Sequence, residues 1–286
     1  MGPKPTFLTT NLSVAYQLRY HFSWFTKGRK PILATQALRT MVEATIQDVS
    51  ERENYHVLGL DVEPNVVRCL MSLRPSDSPE SVTRKIKGNV ATAIRSCGIQ
   101  KLWSRGWFVR SNGNVTEEAI QAYIKSQIEH HHAAPAANRS IMEKCRHHLE
   151  GDVSQIRKSS HAAFQYNAHF VFCVRKRFDF LDPIIGQKLI QYWLLVCERK
   201  SWIAWDIEVV WNHVHILLGI SPTESPEDVA LSLLNNAEFW LFDRYHAAMK
   251  MDELETVFQP GYYSGTCGAA TTAQIKHFLE SQITID

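Results

Sequence analysis

The chain repeats itself, and no other feature constrains its fold as tightly. His21-Phe22-Ser23-Trp24-Phe25-Thr26-Lys27 lines up with His169-Phe170-Val171-Phe172-Cys173-Val174-Arg175. Pro75-Ser76-Asp77-Ser78-Pro79-Glu80-Ser81-Val82 lines up with Pro222-Thr223-Glu224-Ser225-Pro226-Glu227-Asp228-Val229. Gly106-Trp107-Phe108, Gly113 and Ala122-Tyr123-Ile124-Lys125-Ser126-Gln127 line up with Gly261-Tyr262-Tyr263, Gly268 and His277-Phe278-Leu279-Glu280-Ser281-Gln282. Three blocks in one order, at offsets of 148, 147 and 155, define a tandem duplication. The length of 286 residues suits two domains. They are placed at 1–132 and 161–286. Residues 133–160, with Ala-Ala-Pro-Ala-Ala-Asn, read as a linker that has room for a short helix around Met142–Leu149.

Each copy carries the same order of local signals. An extended run opens it (16–25 and 164–175), followed by an amphipathic helix (34–52 and 183–200). Two short strands come next, at 55–61 and 65–74 in the first copy and at 203–210 and 212–220 in the second. Ser78 and Ser225, each followed by Pro-Glu, have the form of an N-cap with proline in the first turn, so a second helix starts at each. A strand around Trp107–Val109 and a last helix from about Thr116 complete the unit, with the partner helix starting at Thr271 or Thr272. The pattern predicts an α+β protein made of two tandem ferredoxin-like modules, βαββαβ plus a terminal helix.

Composition narrows the function classes. With 45% hydrophobic and 21% charged residues the chain is globular, not fibrous or disordered. No apolar run approaches the ~18 residues of a membrane span. The absence of a secretory leader pattern leads us to expect a cytoplasmic protein. Six cysteines without a Cys-x-x-Cys give neither a zinc knuckle nor a disulfide framework. The net charge of +2 hides an asymmetry: residues 1–132 carry an excess of Lys and Arg, and residues 161–286 a matching excess of Asp and Glu. One half meeting a polyanion accounts for this, and so does docking of the halves on each other.

Two places carry chemistry. In Trp211-Asn212-His213-Val214-His215-Ile216-Leu217-Leu218 the strand period of two puts His213 and His215 on one face, where two imidazoles can hold one divalent ion. An ordinary polar face has the same pattern. In the first copy Tyr123 and Gln127 share a helix face at i, i+4. A core tyrosine with a satisfied hydroxyl is the plainer reading of Tyr123 alone.

Together with their flanks these runs resemble the single-tyrosine HUH transposases of IS200/IS605 type. The resemblance is carried by Tyr20-His21-Phe22-Ser23-Trp24-Phe25-Thr26-Lys27-Gly28-Arg29-Lys30, by Asn212-His213-Val214-His215-Ile216-Leu217-Leu218, by Leu102-Trp103-Ser104-Arg105-Gly106-Trp107-Phe108 and by Tyr123-Ile124-Lys125-Ser126-Gln127. It covers essentially each whole repeat. It implies a metal site of His213, His215 and Gln127 that takes Mg²⁺ or Mn²⁺. It also implies that Tyr123 attacks a single-stranded DNA phosphodiester to give a 5′-phosphotyrosine and a free 3′-OH. The resemblance further implies a prokaryotic, nucleoid-associated protein and a dimer in which one subunit's histidines meet the other's tyrosine helix.

The sequence departs from that pattern twice. Val66 and Arg68 stand where the first copy should have its histidines, and Phe278 stands where the second should have its tyrosine. Each copy therefore keeps one half of a site. If the exchanged arrangement survives in the fused pair, one composite site remains, built from His213 and His215 with Tyr123 and Gln127. Gln282 is the rival third ligand, and Glu208 or Asp206 are candidates to hold the histidines from behind. Decay of both copies is the alternative, giving a duplicated hairpin-DNA binder without cleavage, and a domesticated nickase of hairpin or repeat ends lies between.

Arg84, Lys85, Lys87, Arg95, Arg105 and Arg110 are candidates for tracking a DNA backbone. Arg68 would put a fixed cation at the lost metal position. Trp103 is a candidate stacking platform, whereas Trp107 alternates like a core residue. His130-His131-His132 end the tyrosine helix, where cations suit the dipole. An RNA-binding pair would need aromatics on the open sheet face, and only Trp24 offers one. The expected partners are single-stranded or hairpin DNA and, within the chain, the other module; further self-association stays open.

Overall fold

The computed structural model describes residues 13–113 and 145–268. The first copy contains β1 (Ser13–Gln17), β2 (Arg19–Thr26), α1 (Gln36–Glu53), β3 (His56–Val62), β4 (Val66–Ser72), α2 (Pro79–Arg95) and β5 (Trp103–Asn112). Two short strands follow, β6 (Arg146–His148) and β7 (Arg157–Lys158). The second copy contains β8 (Ala162–Gln165), β9 (Asn167–Val174), α3 (Pro183–Lys200), β10 (Ile203–Val210), β11 (His213–Gly219), α4 (Pro226–Met251) and β12 (Phe258–Cys267). Among the described residues this is a mixed α/β protein of two six-stranded sheets and four helices.

Local chemistry explains the helix ends. Ser78 accepts the Ser81 N–H and Ser225 accepts the Asp228 N–H, each with proline at the next position, so both caps fall where the sequence puts them. Asp182 caps α3 in the same way, and α1 and α3 stop at residues in left-handed conformation, Asn54 and Ser201. Val82, Ile86, Val90 and Ile94 of α2 recur at helical spacing and are buried, and they face the sheet residues Phe22, Trp24 and Val109 in one core cluster.

The sheet orders show what holds the copies together. One sheet runs β3-β4-β2-β5-β8-β7 and the other β1-β12-β9-β11-β10-β6. Four strands of each belong to one copy and pair antiparallel, but the fifth comes from the other copy and pairs parallel: β8 on β5 and β1 on β12. The extended run that opens each copy is thus two strands, broken at Leu18 and at Tyr166. The first piece crosses over to the other sheet. The β6 strand covers the β10 edge through the register Glu208↔Arg146 and Asp206↔His148, so residues 146–148 form strand in the segment where the linker left room for a short helix.

The crossover is fastened by reciprocal hydrogen bonds. Thr266 Oγ1 accepts the Arg19 N–H at 2.8 Å and donates to Asn112 O at 2.5 Å. Ser111 Oγ, its counterpart in the repeat, accepts the Asn167 N–H at 3.0 Å and donates to Cys267 O at 2.6 Å. A second reciprocal pair joins the helix starts: Glu80 N–H to Pro222 O and Glu227 N–H to Pro75 O, both at 2.9 Å. The backbones approach so closely that a Cβ on Gly268 would lie 2.1 Å from Ser111 O, which explains the glycine in the third repeated block. No described helix is long and apolar enough to cross a membrane.

Two ionisable groups, the half-buried Arg157 and the buried Glu238, test this packing. Arg157, whose guanidinium lies 4.7 Å over the Phe164 ring, donates to Gly219 O, Tyr166 O and Ile220 O across the crossover. Burial brings its pKa down to about 10. Arg157→Ala removes these three donations, the shortest of them to Ile220 O at 2.6 Å, while Tyr166 O keeps the Ile220 N–H, and urea unfolding should show a loss of about 1–3 kcal/mol. Glu238 on α4 accepts the backbone N–H groups of Val257 and Phe258. Burial, partly offset by those two bonds, raises its pKa from the ordinary 4.5 to about 7. Because the folded state holds this proton more tightly than the unfolded state, the stability it brings at acid pH is lost as pH rises from about 4.5 to about 7. Glu238→Gln should therefore compare better with wild type at pH 8 than at pH 5 when urea midpoints are measured.

Candidate functional site

The polar face of the second copy's sheet, opposite its helices, carries the candidate chemistry. His213 and His215 lie on β11 with buried side chains, 6% and 3% exposed, and their ring centroids are 5.1 Å apart. The register sets Glu208 opposite His215 on β10, and Val171 and Cys173 of β9 opposite His215 and His213. The alternate residues Val214, Ile216 and Leu218 enter the core on the other face. Strand periodicity therefore does place the two imidazoles side by side.

Their hydrogen bonds run through residues other than those expected. His213 Nδ1 lies 2.8 Å from Asn212 Oδ1. His215 Nδ1 lies 3.1 Å from His169 Nε2, with the two rings stacked at 5.3 Å and 10°. Burial lowers the His169 pKa to about 4, so that ring is neutral. Asp206, one of the two residues expected to support the histidines, is instead bound to Arg146 and His148, each at 3.0 Å. Glu208, the other, is fully buried and bonds neither histidine; burial, opposed by Arg146 and reinforced by Asp206, raises its pKa to about 7. The residue that reasoning from sequence missed is His169. It opens a repeated block, but strand register alone puts it opposite Leu217 and not beside His215.

A divalent ion needs imidazole lone pairs, and the bonds at Nδ1 show how His213 offers one. The Asn212 amide nitrogen donates to Asp179 Oδ1 at 2.9 Å, so its oxygen faces His213. That oxygen can only accept, so His213 Nδ1 carries the proton and Nε2 the lone pair. The histidine pair thus fits half of a metal site. Among the described residues no group of three or more His, Cys, Asp or Glu could hold a metal ion. Tyr123, Gln127, Phe278, Gln282 and His130-His131-His132 lie outside the described residues.

In the first copy the same face is rebuilt as an ion-pair cluster. Val66 is buried, and Arg68 Nη1 bonds Asp61 Oδ2 at 2.9 Å and also Glu63. The cation expected at the lost metal position is therefore neutralised within the sheet. His21, the counterpart of His169, has its pKa lowered to about 4 by burial and by Arg68 and Arg110.

The other basic candidates divide. Lys85 pairs with Glu53 at 2.5 Å, and Lys87 donates to Ser104 O at 2.8 Å, burial lowering its pKa to about 8. Arg110 is half-buried over Phe108. Arg84, Arg95 and Arg105 are exposed and form no ion pair among the described residues. Trp103 is fixed through its Nε1 donation to Lys87 O at 2.9 Å, and Trp107 is buried. Trp24 is fully buried and donates to Thr83 Oγ1, which removes the aromatic that an RNA-binding sheet face required.

Two consecutive α/β modules exchange strands, and among the described residues one of them holds a buried histidine pair. A family model described as IS200-like transposase matches residues 14–127 and again 162–282. The chain belongs to the IS200-like transposase family and carries two of its modules in tandem. The ISDra2 transposase TnpA of Deinococcus radiodurans is 25% identical over 120 residues, 39% of this chain and 85% of that protein. A solved REP-associated tyrosine transposase bound to a REP hairpin is 17% identical, covers 42% of this chain and 72% of its own, and has a TM-score of 0.30.

The Arg68 cluster makes its own prediction. Arg68→Met leaves Asp61 and Glu63 without their cation and should cost about 1–3 kcal/mol at pH 7.5. The penalty should shrink on acidification, because burial raises the Asp61 pKa and favours its neutral form, and paired urea titrations at pH 7.5 and at acid pH measure it.

Proposed function

We propose that this protein is a single-stranded DNA transposase, or strand transferase, that works as an intramolecular pseudo-dimer of two ferredoxin-like modules, 1–132 and 161–286, with one composite site per chain. The observation that carries this reading is the division of parts. The histidine pair survives only in the second module and the tyrosine only in the first, and the two modules exchange strands, so neither is closed on itself.

In this reading Tyr123 is the nucleophile, and His213, His215 and Gln127 hold Mg²⁺ or Mn²⁺. The bound ion supplies positive charge at the scissile phosphate. The Tyr123 oxygen bonds to phosphorus as the bond to the 3′ oxygen breaks, giving a 5′-phosphotyrosine and a free 3′-OH that receives the proton. A phenol has an ordinary pKa near 10, so it needs cationic surroundings to ionise at neutral pH. The division of the basic candidates favours Arg84, Arg95 and Arg105 for contact with the hairpin or single-strand backbone, while Lys85, Lys87 and Arg68 hold the first module together.

A denaturing gel with labelled single-stranded hairpin DNA and Mn²⁺ tests the site. Wild type should give a covalent adduct, and Tyr123→Phe or His213→Ala none. An equimolar mixture of the two mutants should stay without adduct if the site closes within one chain, and recover it if the site forms between chains. Tight hairpin binding with no adduct in wild type would replace the enzyme with a duplicated DNA-binding protein. For the backbone contacts, each of Arg84→Ala, Arg95→Ala and Arg105→Ala should flatten the slope of log K against log salt by about 0.7–0.9.

A further inference from the structure

We propose that His169, and Asp179 acting through Asn212, are positioning residues that fix His215 and His213 as Nδ1–H tautomers and so present both Nε2 lone pairs to a divalent ion. The inference rests on the reading of these histidines as metal ligands. It adds two residues that touch neither the ion nor DNA.

The chain of bonds is short and directional. The Asp179 carboxylate accepts from the Asn212 amide at 2.9 Å, which turns the amide oxygen toward His213 Nδ1 at 2.8 Å. A carboxylate cannot donate, so the orientation of the amide is set, and with it the tautomer of His213. On His215, Nδ1 meets His169 Nε2 at 3.1 Å in a stacked pair. With His169 Nε2 as the acceptor of this bond, as proposed, the His215 proton lies on Nδ1; the opposite direction would put it on Nε2. An imidazole that donates from Nδ1 to a fixed acceptor is held in ring orientation as well as in tautomer, and it is more basic at Nε2.

The duplication supplies an internal control. Leu33 N–H bonds Pro64 O in the first module as Leu181 N–H bonds Trp211 O in the second, so the two loops correspond residue for residue. At that correspondence Asp179 is matched by Pro31, which has no carboxylate. Arg68, where His215 has its counterpart, turns to Asp61 and Glu63. The Asp179 end of the relay is thus present only in the module that keeps the histidines.

Mn²⁺ binding to the full-length protein, followed by electron paramagnetic resonance, tests the assignment beside a long-range ¹⁵N–¹H spectrum of the imidazoles recorded without metal. In wild type both His213 and His215 should give the Nδ1–H pattern. His169→Ala and Asp179→Ala should each weaken Mn²⁺ binding about 10- to 100-fold. His169→Gln and Asp179→Asn, which keep an acceptor oxygen, should bind within a few-fold of wild type. Asp179 is exposed, so its variants test the relay even if His169→Ala fails to fold. Unchanged Mn²⁺ binding in Asp179→Ala and His169→Ala, with binding lost in His213→Ala, would overturn the positioning roles and leave the metal reading intact. An Nε2–H pattern for either histidine in wild type would also overturn them. Absence of saturable Mn²⁺ binding in wild type would overturn the metal reading itself and the positioning roles with it.

Discussion

The exchange of strands between the copies turns on two hydroxyl groups at the crossover, Ser111 and Thr266. Each accepts a backbone N–H from the strand that follows the break in the other copy and donates to a carbonyl at the end of the other copy's last strand. A strand that leaves its own sheet at Leu18 or Tyr166 exposes backbone groups at the bend. In a buried setting an unpaired backbone group costs as much as a lost hydrogen bond. The hydroxyls meet that demand without adding bulk, and Gly268 permits the close approach. Once the strands have crossed, each sheet contains one parallel strand from the other copy, β8 on β5 and β1 on β12, and neither copy has a complete sheet alone.

On this shared scaffold the two copies carry different polar faces. When sheets are shared, one copy can rebuild its face as an ion-pair cluster around Arg68 while the other keeps His213 and His215, and the scaffold of both persists. Arg68, Asp61 and Glu63 form the ion-pair cluster of a sheet face that has Val66 and Arg68 where the other copy has His213 and His215, since a half-buried guanidinium needs carboxylates close by. The net-basic half of the sequence follows the same logic. Part of its charge is spent on internal contacts, as at Lys85 and Lys87, and only part stands on the surface.

Much of this was legible in the residues. The repeat gave the two-part architecture, because duplicated blocks in fixed order must fold into like units. Serine followed by proline and glutamate marked the starts of α2 and α4, because a side-chain acceptor and a fixed φ at those positions act locally. Alternation on β11 put the two histidines on one face, because strand geometry alone fixes the period. The extended runs at 16–25 and 164–175 were visible as single strands, but not their breaks, since the same hydrophobic alternation serves either side of a crossover. The strand at Arg146–His148 falls in a segment that reads as linker with room for a short helix, because its pairing partner is the distant edge of β10 and nothing local announces it.

By itself the sequence determined the duplication, the helix caps, the strand faces and the separation of histidines from tyrosine between the copies, all of which depend on residue order and nearest neighbours. Tertiary structure alone decided the exchange of strands, the pairing of His215 with His169, the relay from Asp179 through Asn212 to His213, and the neutralisation of Arg68. Each of these joins groups that lie far apart in the chain, or sets the direction of a side-chain dipole. Such choices are settled by which buried donors and acceptors must find one another in the packed protein.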